Sequence, residues 1–302
     1  MVRTALSTFS FKVRIASYIV VFVAVVLLGD RLVSFLAAKI VRQSHNQFVR
    51  LYEGKVPSDT VFLGNSRVDR NINFGKVHEL TGRVCLNLGL GGNHMLISEA
   101  LLKDYVRIYG NPKLVVIELS HSTVTPDSMG EMGIFSYCST NMQTLARQID
   151  PTYAAFESVF KSLQFNSQTF WRLSAEVFIE PSSRLLKNTI PPAIADRWKN
   201  GGQVELPIIE KNMAALKRIC DFADARHIPV RLIIGPYWKE FRRGVINFES
   251  WKCKLQNAAG EHPVCDYSEA FFSDPEYFND EMHLNAVGAD FFTEKLVQDG
   301  IL

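Results

Sequence analysis

The chain has no acidic residue before Asp30, and Ile15 to Leu28 (IASYIVVFVAVVLL) carries no charge of either sign. None of its five cysteines forms a Cys-x-x-Cys pair, it has no long basic tract, and its formal net charge is only +2 over 302 residues. Each absence excludes something. Without clustered Lys and Arg there is no footprint for a phosphate backbone, so nucleic acid is not expected as a partner. Without cysteines at metal-ligand spacing a zinc knuckle is excluded; no metal and no cofactor is expected. An uncharged stretch such as 15–28 has no reason to face water. Its strict apolar run is somewhat shorter than the roughly 20 residues that cross a bilayer. The pattern continues through Leu32, Val33, Phe35 and Leu36, and Arg14 and Arg31 can snorkel from the ends. Residues 15–36 therefore read as one transmembrane anchor, with residues 1–14 as a cytoplasmic tail and 37–56 as a polar helical stalk. No small-x-small cleavage site follows cleanly, which favours an uncleaved signal anchor over a removed signal peptide. Arg3, Lys12 and Arg14 before the span favour an internal N-terminus, although Arg31, Lys39 and Arg42 after it weaken the bias.

Residues 57–302 read as a single α/β unit, and an apolar fraction of 47% supplies a substantial core. Pro57 introduces a first strand at about 59–63. Val84–Leu88 is a second, ended by Gly89, Gly91 and Gly92. Leu114–Leu119 (LVVIEL) is a third, of the kind buried on both faces of a parallel sheet. Pro229–Ile234 and Val264–Tyr267 are the fourth and fifth. Helical patterns alternate with them at about 71–82, Met95–Tyr109, Ile208–Arg226, 249–258 and Asn285–Gln298, which argues for a parallel sheet with crossover helices. An irregular insertion, about 121–204, is rich in aromatics, including Phe156, Phe160, Phe170, Trp171 and Phe178. These rings either pack the insertion onto the sheet or form a cap that shapes an acceptor site or docks a membrane partner. Cys253 and Cys265 bracket a short polar loop and either bridge outside the cytoplasm or stay free.

Ser66 ends the apolar run Asp59-Thr-Val-Phe-Leu-Gly-Asn-Ser66, at the end of the first strand. Asp280 and His283 lie in Phe278-Asn-Asp-Glu-Met-His-Leu-Asn-Ala-Val-Gly288, before the last helix. A neutral serine hydroxyl is a weak nucleophile that needs a base in reach, and the base needs an orienting group. His283 suits the first need and Asp280 the second. Both ends of the chain reach the C-terminal edge of the sheet, where open α/β folds bind ligands. An oxyanion would need preorganised donors; the candidates are the Ser66 amide, Gly89, and the Asn93 side chain. Arg67, next to the serine, either holds an anionic group of the substrate or pairs with Asp69 or another acid. His121, after the third strand, is a further candidate to line the site, as is His94.

In its order of blocks, Gly-Asn-Ser66, then Asn87-Leu-Gly89, then Asp280-x-x-His283, the chain resembles the SGNH (GDSL-like) hydrolases from about Val56 onward. It departs at the third block, where Glu118-Leu-Ser-His-Ser122 stands in place of Gly-x-Asn and leaves the side-chain oxyanion donor unassigned. The resemblance implies a three-layer α/β sandwich with a parallel, flavodoxin-like sheet. The Gly-Asn-Ser-Arg and Phe-Asn-Asp-x-x-His-Leu-Asn segments resemble the membrane-anchored branch, similar to the D-alanyl-lipoteichoic acid transfer protein and the alginate and peptidoglycan O-acetyltransferases. That implies a serine O-acyltransferase or esterase working outside the inner membrane, on the periplasmic side. Its partners would be a cell-envelope glycan acceptor, an acyl donor, membrane lipid and a multi-pass membrane-bound O-acyltransferase. A membrane-tethered carboxylesterase for small esters and a non-catalytic glycan-binding partner are the alternatives.

Overall fold

Five strands lie parallel in one sheet, β1 (Thr60–Gly64), β2 (Cys85–Gly89), β3 (Leu114–Glu118), β4 (Val230–Ile234) and β5 (Val264–Asp266), in the order β2-β1-β3-β4-β5. The computed structural model describes residues 2–54, 58–179 and 185–302. Pro57, the expected entry to the first strand, lies outside the described residues. The central strands β1 (TVFLG) and β3 (LVVIE) are buried at every position, as apolar strands covered on both faces must be. Helices Met95–Tyr109, Glu210–Asp224 and Phe248–Ala259 pack on one another over one face; Ser66–Asn71, Phe74–Thr81 and Ala286–Gln298 form the other layer. Right-handed crossovers explain the split. The path turns one way from β1 to β2 and the other way from β2 to β3, β4 and β5, so the crossover helices change face. The reversal leaves a switch point between β1 and β3, where ligands of doubly wound sheets collect at the C-terminal strand ends. Ser66 sits there.

The expected α/β class and parallel sheet are present, with strand limits within about a residue or two of the sequence reading. The helix expected at 71–82 is Phe74–Thr81, capped by Asn73, which accepts from the Lys76 amide at 3.2 Å; a further short helix, Ser66–Asn71, precedes it and was not expected. The insertion holds helices at Thr140–Ile149, Pro151–Val159, Gln168–Ala175 and Pro192–Lys199. As expected from Asp150-Pro151, the Asp150 side chain caps the second of these, accepting from the Tyr153 amide at 2.8 Å.

The N-terminal segment differs most from expectation. Val2–Val41 is one continuous helix, and Val13–Val41 within it is long and apolar enough to cross a membrane by length and composition. Residues 37–54 are not a free stalk. Ala37, Val41, Phe48, Val49 and Leu51 are buried in the main core, and the rings of Phe48 and Tyr52 pack against Phe135 of the insertion. Gln47 reaches the sheet directly, donating from Nε2 to the Gly89 carbonyl at 3.2 Å. The five cysteines are free thiols. Cys253 is exposed on its helix beside Asn257, while Cys265 lies within β5, so the bridge considered between them is not formed.

Gly89 is a packing constraint. A Cβ there would stand 2.7 Å from Val68 Cβ and 2.9 Å from both the Asn65 carbonyl oxygen and the Asp69 nitrogen. The helix that carries Ser66 rests directly on β2 at this point. Gly89→Ala should therefore destabilise the domain by about 1–3 kcal/mol, the usual range for overpacking. Gly91→Ala, whose nearest neighbour would be Ser66 Cβ at 4.0 Å, should leave stability unchanged. Urea denaturation of the two variants checks this; equal stability would contradict the tight seat of the Ser66 helix.

Candidate active site

Ser66 opens a six-residue helix directly after β1. Asn65 caps it, accepting from the Arg67 amide at 2.9 Å, and the Ser66 amide is one of the first-turn N–H groups that have no intrahelical partner. The hydroxyl points at the far end of the chain: Ser66 Oγ lies 2.8 Å from His283 Nε2. His283 Nδ1 lies 2.9 and 3.0 Å from the two carboxylate oxygens of Asp280. The three side chains named from the sequence thus form one hydrogen-bonded chain across 217 residues.

The loop that presents His283 is built by its own motif. Phe278 and Leu284 are fully buried and pair as an antiparallel bridge. Between them Asp280 Oδ1 accepts from the backbone amides of Met282 and His283, both at 2.9 Å, so one carboxylate both shapes the turn and faces the imidazole. Asn285 caps the last helix, accepting from the Gly288 amide at 3.1 Å. Burial pushes the Asp280 carboxyl up, but its bonds to His283 and to the two amides outweigh this and bring it down to about 2. Asp280 is therefore ionised at neutral pH and can hold Nδ1–H in place. Asn71, at the other end of the Ser66 helix, ties the two halves together. Its Oδ1 accepts from the Leu284 amide at 2.9 Å and its Nδ2 donates to the Met282 carbonyl at 3.3 Å. No sequence pattern singled out Asn71; a lone buried amide has no periodicity to betray it.

The remaining candidates are placed differently. The Gly89 amide donates to its neighbour's side chain, Asn87 Oδ1, at 2.8 Å, and so is not free for an oxyanion. Asn93 is buried, and its Nδ2 is committed to the Gly64 carbonyl at 3.0 Å and to Ser98 Oγ at 3.4 Å. Gly91, in the same glycine cluster, is exposed, and a Cβ added there would stand 4.0 Å from Ser66 Cβ. Arg67 is only 1% exposed and cannot meet a substrate. Its guanidinium donates to the Pro236 carbonyl at 2.5 Å, lies 3.5 Å from Glu118 Oε1 and stacks 3.9 Å from the Tyr237 ring centroid. Of its two expected roles, pairing with a nearby acid is the one seen.

Two solved structures overlap most of the chain. One is described as a "putative acylhydrolase" from Bacteroides fragilis, at 16% identity, covering 83% of this chain and 93% of that one with a TM-score of 0.43. The other is a GDSL-like lipase from Bacteroides thetaiotaomicron, at 14% identity, covering 85% and 97% with a TM-score of 0.43. No family model and no curated protein matches the chain.

His121 is fully buried and does not line the site. Its Nδ1 lies 2.6 Å from the Glu118 carbonyl, and burial, opposed by Glu118, pushes the imidazole down to about 4. In the unfolded chain the same group titrates near ~6.5. As pH falls below ~6.5 the unfolded state takes up a proton that the folded state refuses until about 4. Stability from this group is thus complete above ~6.5 and declines through that window. His121→Gln should flatten the pH dependence of stability between 6.5 and 4 by up to about 1.4 kcal/mol per pH unit. Parallel slopes for wild type and variant in denaturant titrations would contradict it.

Proposed function

We propose that the chain is a serine-dependent acyl-transfer enzyme, anchored by its N-terminal helix, that acts on cell-envelope polysaccharide as an O-acyltransferase or esterase. The observation that carries the chemistry is the 2.8 Å contact from Ser66 Oγ to His283 Nε2, with ionised Asp280 on Nδ1. His283 Nε2 takes the hydroxyl proton as Oγ attacks the acyl carbonyl. Asp280 keeps the other ring nitrogen protonated and stabilises the imidazolium. The carbonyl oxygen becomes an oxyanion facing the Ser66 amide at the start of its helix. Collapse transfers the proton from Nε2 to the departing alcohol and leaves an acyl ester on Ser66. The second half-reaction runs in reverse order: His283 deprotonates a glycan hydroxyl, or water, which attacks the acyl-serine and frees Oγ.

The envelope acceptor and the acyl-delivering membrane partner follow from the motif resemblance. The anchor follows from the apolar helix Val13–Val41, with the basic residues before it favouring the periplasmic side for the enzyme domain.

Asp280→Asn offers the sharpest activity test, because it keeps the shape of the turn and reverses the preferred tautomer. The same change costs about 10⁴-fold in a serine protease, and a loss of that order is expected here in the turnover of an acyl ester, with the melting curve nearly unchanged. Supplying an acetylated donor with and without an envelope glycan separates transfer from hydrolysis. Wild-type turnover in the variant would overturn the proposed mechanism.

A further inference from the structure

The N-terminal helix and the insertion are fastened together where the helix meets the domain. Asp30, only 9% exposed, accepts from the Lys161 amide at 2.8 Å, the Ser162 amide at 3.0 Å and the Ser162 hydroxyl at 2.6 Å. Arg31 donates to the Val159 carbonyl at 3.0 Å. Helix Gln168–Ala175 also packs on the N-terminal helix. A tether that let the domain swing would need none of this.

Beyond the clasp two apolar surfaces remain uncovered. On the helix, Leu32, Val33 and Phe35 stay exposed on the side turned from the domain. On the insertion next to it, Phe156, Trp171, Phe178 and Ile179 are exposed, Phe178 to 89%. The insertion is already packed on the main core through buried Phe165 and Leu173. The apolar helix also overshoots the hydrocarbon core of a bilayer. Its 29 residues span roughly 43 Å at about 1.5 Å each, against a hydrocarbon core of about 30 Å. The surplus falls on the part that carries the domain if the uncharged stretch 15–28 occupies the membrane interior.

We propose that the patch formed by Phe156, Trp171, Phe178 and Ile179 inserts into the interfacial layer of the bilayer that holds the N-terminal helix. This rests on the anchor reading. These residues belong to segments that adjoin the apolar helix, since helix Gln168–Ala175 packs on it and Arg31 bonds the Val159 carbonyl, and that adjacency favours lipid over a protein as the occupant. Aromatic side chains prefer this layer, with an apolar body in the acyl region and a polar edge at the headgroups. Arg31 and Lys39, both exposed on the same stretch of helix, are placed to meet headgroup phosphates. The domain then lies against the membrane in one orientation set by the Asp30 clasp, so Ser66 keeps a fixed height above the lipid.

Trp171 is a built-in reporter. Of the four tryptophans, Trp198, Trp238 and Trp251 are buried and Trp171 is 71% exposed. The full chain is reconstituted in phosphatidylcholine vesicles, plain or brominated near the headgroup end of the acyl chains. Its emission is compared with that of Trp171→Phe. The Trp171 component should fall at least twofold in brominated vesicles and resist aqueous iodide. Phe178→Asp, at a position too exposed to disturb folding, should restore much of the lost emission. An equal Trp171 component in both lipids, quenched by iodide, would show a patch facing water and overturn the proposal. Shielding from both quenchers would mean a protein surface covers the patch, and would overturn it too. Flotation after an alkaline wash reads the anchor separately: protein that floats but shows no bromine quenching refutes only the patch, and protein that does not float refutes both.

Discussion

The carboxylate of Glu118 ties the C-terminal edge of the sheet together, and the candidate site stands on that knot. It is 2% exposed at the end of β3. Its Oε2 accepts from the Ser120 amide at 3.1 Å and the Ser120 hydroxyl at 2.5 Å. Its Oε1 accepts from the Gly235 amide after β4 at 3.2 Å and faces the buried guanidinium of Arg67. Arg67 follows Ser66 directly, so the loops after β1, β3 and β4 meet at one ion pair. Such a pair is not a cheap source of stability, because removing two charges from water offsets most of their attraction. Its effect is positional. Taking away either partner strands a charge at a cost of about 3–5 kcal/mol, so the three loops hold a single arrangement.

On that base the Ser66 helix and the His283 loop are joined twice. Oγ meets the imidazole at one end, and Asn71 holds the 282–284 backbone at the other. Gly89 lets the helix lie flat on β2. Asp280 serves the turn and the imidazole with the same carboxylate, which is why three positions of spacing to His283 suffice. The result is a half-buried Ser66 flanked by an exposed glycine, supported from below by a buried network that contacts no substrate.

Much of this was legible in the sequence. The central strands β1 and β3 are runs buried at every position, and such runs in a βα alternation have few other solutions. That Ser66, Asp280 and His283 meet was legible because the topology brings strand-end loops together. Roles set by tertiary contact alone were not legible. Arg67 looks available beside the serine, yet a buried acid from another strand claims it. Gly89 fits an oxyanion block, yet the Asn87 side chain takes its amide. The segment 37–56 averages as polar because Arg42, Gln43 and Arg50 dilute it, and the average hides Val41, Phe48 and Leu51, which enter the core. Asn71 and Glu118 leave no pattern at all.

The central claim is that Ser66 is a nucleophile activated by His283 and Asp280. Treating the full chain with a fluorophosphonate and mapping the adduct by mass spectrometry tests it most directly. The account predicts a single covalent adduct on Ser66 that forms at neutral pH and is absent from His283→Ala. An unlabelled Ser66, or labelling that proceeds as fast without His283, would contradict it.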